Sequence, residues 1–159
     1  MMRLQTMAAA LLAAAAMAWT APASACDDTF VGVWQLDLAN SESTAGAGVR
    51  SKTLIFSEVA AGMLITETVV TDEGETAVYR IPFTYGGGFA AQDANPAYDA
   101  LAVERLDART LVSTLKFRGA VVGKAKQKIA ADGKSMEFTS ELTLPSGAVA
   151  RQASLFRRM

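Results

Sequence analysis

The stretch AVVGKAKQKIAADGKSMEFTSELTLPSGAVARQASLFRR, residues 120–158, decides the fold. It holds three segments in which polar and apolar side chains alternate, separated by two turn signals. Alternation of period two is the mark of a strand with one wet and one dry face. Pro145-Ser146-Gly147 suits a type I turn, with proline preset at the first corner and glycine at the left-handed bulge position. That pairs Leu144 with Ala148 and, counting outward, sets Glu141 opposite Arg151. Asp132-Gly133, with Ala131 facing Lys134, sets Lys128 opposite Glu137 and Lys124 opposite Glu141. Upstream, Phe117-Arg118-Gly119 read as a bulged turn brings Leu115 opposite Val121.

The three turns agree on one partition. Lys124, Lys126, Lys128, Glu137, Glu141 and Arg151 share a face; Leu115, Phe117, Val121, Ala125, Ile129, Met136, Phe138, Leu142 and Phe156 share the other. A slip of one residue would turn all of these side chains to the wrong side. The lysine row reads as a solvated face with paired charges, in preference to a surface for an anionic partner.

The same pattern extends through the chain, with turn signals every 8–14 residues and no stretch of helical period between them. Strands are expected near 31–38, 51–58, 62–71, 75–85, 88–92, 99–106, 110–117, 120–129, 135–144 and 148–157. Asn40 to Val49 is expected as a loop, and Asp93 to Tyr98, with Asn95-Pro96, as a second irregular connection. Gly86-Gly87 is expected to turn the fourth strand into a short fifth. Ten antiparallel strands bring the last beside the first, pointing oppositely, and the sheet can close; nine would meet in parallel. The fold class is therefore all-β, an antiparallel up-and-down barrel of about ten strands.

Its inward face includes Ser113, Gly123, Gln127, Ser140, Ala150, Gln152 and Ser154, where a filled core would favour larger apolar groups. Together with the aromatic fourth strand this points to a cavity in preference to a filled interior. The candidate ligand-lining residues are Tyr79, Ile81, Phe83, Tyr85, Leu115, Phe117, Gln127, Phe138 and Gln152.

The first 25 residues read as a cleaved signal peptide. Arg3 supplies the positive start, Met7 to Trp19 an alanine-rich apolar run, and Ala23-Ser24-Ala25 a small-x-small cleavage site. Residues 26–159 then form one domain and carry no further run able to span a bilayer as a helix. Cys26 follows the cut and is the only cysteine, so it cannot form an intramolecular disulfide. It is either incidental at a new N-terminus or the lipid-carrying residue of a lipoprotein, and Ala23-Ser24-Ala25-Cys26 resembles a lipobox only loosely. The expected location is periplasmic or extracellular, with membrane anchoring as the alternative. Residues 26–159 hold 14 basic and 16 acidic residues, which leaves no electrostatic footprint for nucleic acid.

Gly32-x-Trp34 on the first strand, with an arginine closing the last, resembles the barrel-end plug of lipocalins and their calycin relatives. The resemblance implies that Trp34 packs across one barrel end and that Arg158, with Arg157 second, lies over it. The spacing of Trp34, Asp37, Ser41, Asn95-Pro96, Arg105-Leu-Asp107, Val122-Gly123, Asp132-Gly133-Lys134 and Leu155-Phe156 is similar to that of small secreted bacterial lipocalin-like proteins of uncharacterised function. It implies a lipocalin/fatty-acid-binding-like barrel over nearly all of residues 26–159. No well-placed Arg-x-Tyr of the kind fatty-acid-binding proteins use for a carboxylate is present, so the ligand class does not transfer.

The chain contains no histidine, which excludes His-based triads, His-ligated zinc or haem and a histidine pH switch. One cysteine cannot build a thiolate metal cage. No cofactor or metal is expected. Gly86-Gly87-Gly88 reads as a turn, not a phosphate loop, and Asp93 and Asp99 as loop solubilisers or caps, not a hydrolytic carboxylate pair. Tyr85 and Phe89 read as packing aromatics more readily than as a lip over a pocket. The leading function is a non-enzymatic exported binding protein for a small apolar or amphipathic molecule. The alternative is a protein-interaction module, such as an exported-protease inhibitor or envelope assembly factor, acting through 27–30 or 86–98. An enzyme ranks third, since no nucleophile–base pair is visible.

Overall fold

The computed structural model describes residues 28–43, 48–92 and 97–159. The expected signal peptide, Cys26, Asp93 and Asn95-Pro96 lie outside the described residues, and so does the middle of the expected 40–49 loop. Ten strands follow one another: β1 Gly32–Ser43, β2 Val49–Val59, β3 Gly62–Thr71, β4 Thr76–Phe83, β5 Ala90–Ala91, β6 Ala100–Asp107, β7 Thr110–Phe117, β8 Ala120–Ile129, β9 Ser135–Thr143 and β10 Val149–Arg158. They form one sheet in the order β4-β3-β2-β1-β10-β9-β8-β7-β6-β5, every named pair antiparallel. First and last strands pair, with Trp34 opposite Arg158 and Leu36 opposite Phe156. The result is a nearly closed all-β barrel.

The seam of the ring falls between β4 and β5, not between the chain ends. The fifth strand is two residues long and, among the described residues, pairs only with β6, through Ala90–Leu101 and Ala91–Ala100. The expected β4–β5 hairpin at Gly86-Gly87 does not form. Thin links cross the gap: Tyr85 bridges Val103, the Gly86 N–H donates to the Val103 carbonyl at 2.9 Å, and Gln92 Nε2 donates to the Pro82 carbonyl at 3.2 Å.

From β8 to β10 the register follows the turn chemistry. Glu141 stands opposite Arg151, Lys128 opposite Glu137 and Lys124 opposite Glu141, all in solvent. The β7–β8 turn departs from expectation. Arg118 and Gly119 both have positive φ, 51° and 81°, which makes a tight two-residue turn with Phe117 opposite Ala120. A bulge then shifts the register so that Leu115 meets Gly123 instead of Val121, and Val121 points outward, 58% exposed.

The loop expected from Asn40 is also shorter than read. β1 runs on to Ser43 after a bulge between Asp37 and Glu42. There the Ser41 hydroxyl takes the place of a ladder partner, donating to the Asp37 carbonyl at 2.6 Å and accepting from the Leu155 N–H at 2.9 Å. Polar residues that signal a loop thus hold a strand together by side-chain bonds.

One end of the barrel is plugged. Trp34, Phe30, Phe56 and Phe156 are fully buried there, and Trp34 Nε1 donates to the Phe30 carbonyl at 2.9 Å. The Arg158 guanidinium carbon lies 4.2 Å from the Trp34 ring centroid. Its nitrogens donate to the carbonyls of Val31 and Gly133, each at 2.9 Å, and of Thr29. Gly32 provides the room: a Cβ there would stand 2.9 Å from an Arg158 nitrogen, and its φ of 138° disfavours other residues.

Candidate functional site

Above the plug the barrel encloses a cavity of about 210 Å³. Its walls come from inward positions of β2, β3, β4 and β6 to β10, with Ala97 and Tyr98 from the segment before β6. Alternation explains who faces in. Leu54 pairs with Trp34 and Ile65 with Phe56, and together with Ile81, Phe83, Leu101 and Val103 they form the apolar side. Across the barrel, Ser113 pairs with Ala125, Ala125 with Ser140, and Ser140 with Gln152. One cross-strand row therefore carries three polar side chains and a methyl group into the cavity wall. Gln127, 8% exposed, faces the cavity from the next row.

Of the nine residues singled out from the sequence, Ile81, Phe83, Leu115, Gln127, Phe138 and Gln152 line the cavity. Tyr79 shares the inward face opposite Glu67 and packs against the core, outside the lining. Tyr85 belongs to the plugged end: its hydroxyl donates to Asp28 at 2.6 Å, and Arg105, 2.6 Å from the same carboxylate, stacks 4.6 Å from its ring centroid. Burial and the Asp28 carboxylate push the Tyr85 phenol well above its ordinary pKa, so it stays a donor. Phe117 sits at the opposite end, under the Arg118 guanidinium, because the tight turn carries it past the cavity rim. Asp99 accepts the Arg118 N–H at 2.7 Å and so caps that turn.

Two charged residues in the wall escaped the sequence reading. Lys52 on β2 and Glu67 on β3 both line the cavity and form an ion pair at 2.8 Å, each side chain 18% exposed. Lys52 stands opposite Val69 and Glu67 opposite Leu54, so the pair is diagonal across the ladder. The signal existed: Lys52 is two residues from Leu54, and Glu67 two from Ile65, both inward. Among the described residues no cluster of His, Cys, Asp and Glu could hold a metal ion, and no helix is long and apolar enough to cross a membrane.

No family model and no curated protein matches this sequence. Solved structures do match the shape. As-p18, described as an extracellular fatty acid binding protein, superposes with a TM-score of 0.51 at 11% identity, over 83% of this chain and 97% of its own. The zebrafish ileal bile acid-binding protein complexed with cholic acid aligns with a TM-score of 0.47 at 11% identity, over 82% of this chain and 99% of its own. The fold is that of the fatty-acid-binding-like barrels.

Proposed function

We propose that this chain is an exported, non-enzymatic binding protein that holds one small apolar or amphipathic molecule inside its barrel. The observation that carries the reading is the cavity of about 210 Å³, whose lining mixes apolar side chains with inward polar groups. A site of mixed lining inside a rigid wall is what retention of an amphipathic guest requires. The cavity is smaller than the roughly 300–1,000 Å³ typical of drug-sized ligands, so the guest is small or enters with side-chain movement. Ile81, Phe83, Leu115 and Phe138 would hold its apolar part, Gln127 and Gln152 its polar part. The likeness to a fatty acid binding protein supports the reading through the fold alone.

Native mass spectrometry of gently purified protein, together with uptake of the neutral dye N-phenyl-1-naphthylamine, tests it. A guest-sized mass increment or saturable dye fluorescence is expected. A barrel that is always empty and takes up no dye would reject the proposal. Export is part of the same reading, and the mass of the processed N-terminus checks it: a chain beginning at Cys26 without added lipid supports soluble release, and a diacylglyceryl increment supports anchoring.

A further inference from the structure

Resting on that reading, we infer that the barrel selects a neutral amphiphile with hydroxyl or amide groups, and discriminates against free carboxylates and amines. Lys52 and Glu67 are the only charged side chains in the cavity wall among the described residues, and each satisfies the other at 2.8 Å. A carboxylate guest would have to share Lys52 with Glu67, placing two negative groups on one ammonium in a partly desolvated space. An amine guest meets the mirror-image cost at Glu67. An ion brought out of water without its own counter-charge is disfavoured by far more than a neutral polar group is.

Neutral donors and acceptors are what the opposite wall offers. The side chains of Ser113, Ser140 and Gln127 bond to no other protein group among the described residues, although Gln127 is more than nine-tenths buried. Gln152 uses its amide nitrogen on Ser154 at 2.8 Å, which leaves its carbonyl oxygen available. A guest that fills the cavity takes these groups out of water, at a cost in free energy unless its own polar groups complete their hydrogen bonds. A hydroxyl or carboxamide can give and take a hydrogen bond with any of them. Ala125, in the same row, keeps the space in front of them open.

Displacement of N-phenyl-1-naphthylamine by 1-decanol, decanamide, decanoate and decylamine at neutral pH tests the selection. With the unaltered protein the alcohol and amide are expected to compete at least about tenfold more strongly than either ion. Glu67→Gln leaves Lys52 without its counter-charge, and decanoate should then gain about tenfold while decanamide changes by less than about threefold. Lys52→Gln should give the converse gain to decylamine. Decanoate competing as well as decanamide with the unaltered protein would overturn the inference, and so would a Glu67→Gln protein that folds with unchanged ratios. Dye bound and displaced with the wrong ratios sinks the selectivity alone. A protein that takes up no dye and is always empty by native mass spectrometry sinks the binding reading, and the selectivity falls with it.

Discussion

Arg158 does three things at one position: it stacks on Trp34, bonds carbonyls of the entering chain, and ties the β8–β9 turn to both. Arg158→Ala removes a cation–π contact and three charge-assisted bonds, and is expected to lower unfolding stability by about 2–4 kcal/mol in urea melts. Arg158→Lys keeps the charge but not the planar fork, and should recover less than half of that. Gly123 is demanding for another reason. A Cβ there would stand 2.2 Å from the Glu141 carbonyl oxygen and 2.9 Å from the Leu142 Cα, so Gly123→Ala must push β8 from β9. A loss of about 1–3 kcal/mol is expected in the same assay. Backbone N–H bonding from Arg109, then the Thr110 hydroxyl, hold the Asp107 carboxyl below its ordinary 3.8. A depressed folded-state pKa contributes stability above the unfolded value and loses it as pH falls through the folded one. The stability gap between the protein and its Asp107→Asn variant should therefore be full above about pH 4 and shrink on further acidification.

At the scale of strands, the seam is where the sheet is least supported. Among the described residues one edge of β4 has no ladder partner, and β5 offers two paired residues. Hydrogen exchange is expected to be fastest in β5 and along β4, and slowest in β9 and β10, which are paired on both sides. Slow exchange throughout β4 would mean that the gap is closed in solution. The same strands show what a sequence can disclose. The turns at Asp132-Gly133 and Pro145-Ser146-Gly147 carry residues whose backbone preferences fix a register, and through it the inward positions of Gln127, Phe138 and Gln152 were legible. The β2–β3 turn is Ala60-Ala61, which prescribes no turn type. Without that register the diagonal meeting of Lys52 and Glu67 stayed hidden. Arg118-Gly119 misled because arginine rarely accepts positive φ, so a longer bulged turn was the better bet from composition. Ser41 misled because its hydroxyl serves a strand by a bond that only the folded neighbour reveals.

For the molecule as a whole, buried aromatic side chains fill one end and a cavity lies above them, so filling the cavity should uncouple binding from stability. Ala125→Phe projects a ring into the cavity from the middle of the polar row. It is expected to abolish dye uptake while the chain still folds, with circular dichroism unchanged and the melting temperature altered by only a few degrees. Unimpaired uptake would move the binding place elsewhere. The pairing of β1 with β10 has one more implication, for the life of the chain before it is a barrel. The first strand to leave the ribosome waits for the tenth, since Trp34 meets Arg158 across the ladder that joins β1 to β10. Until β10 has emerged, the nascent polypeptide cannot join that ladder, so the ring locks only after its tenth strand is made.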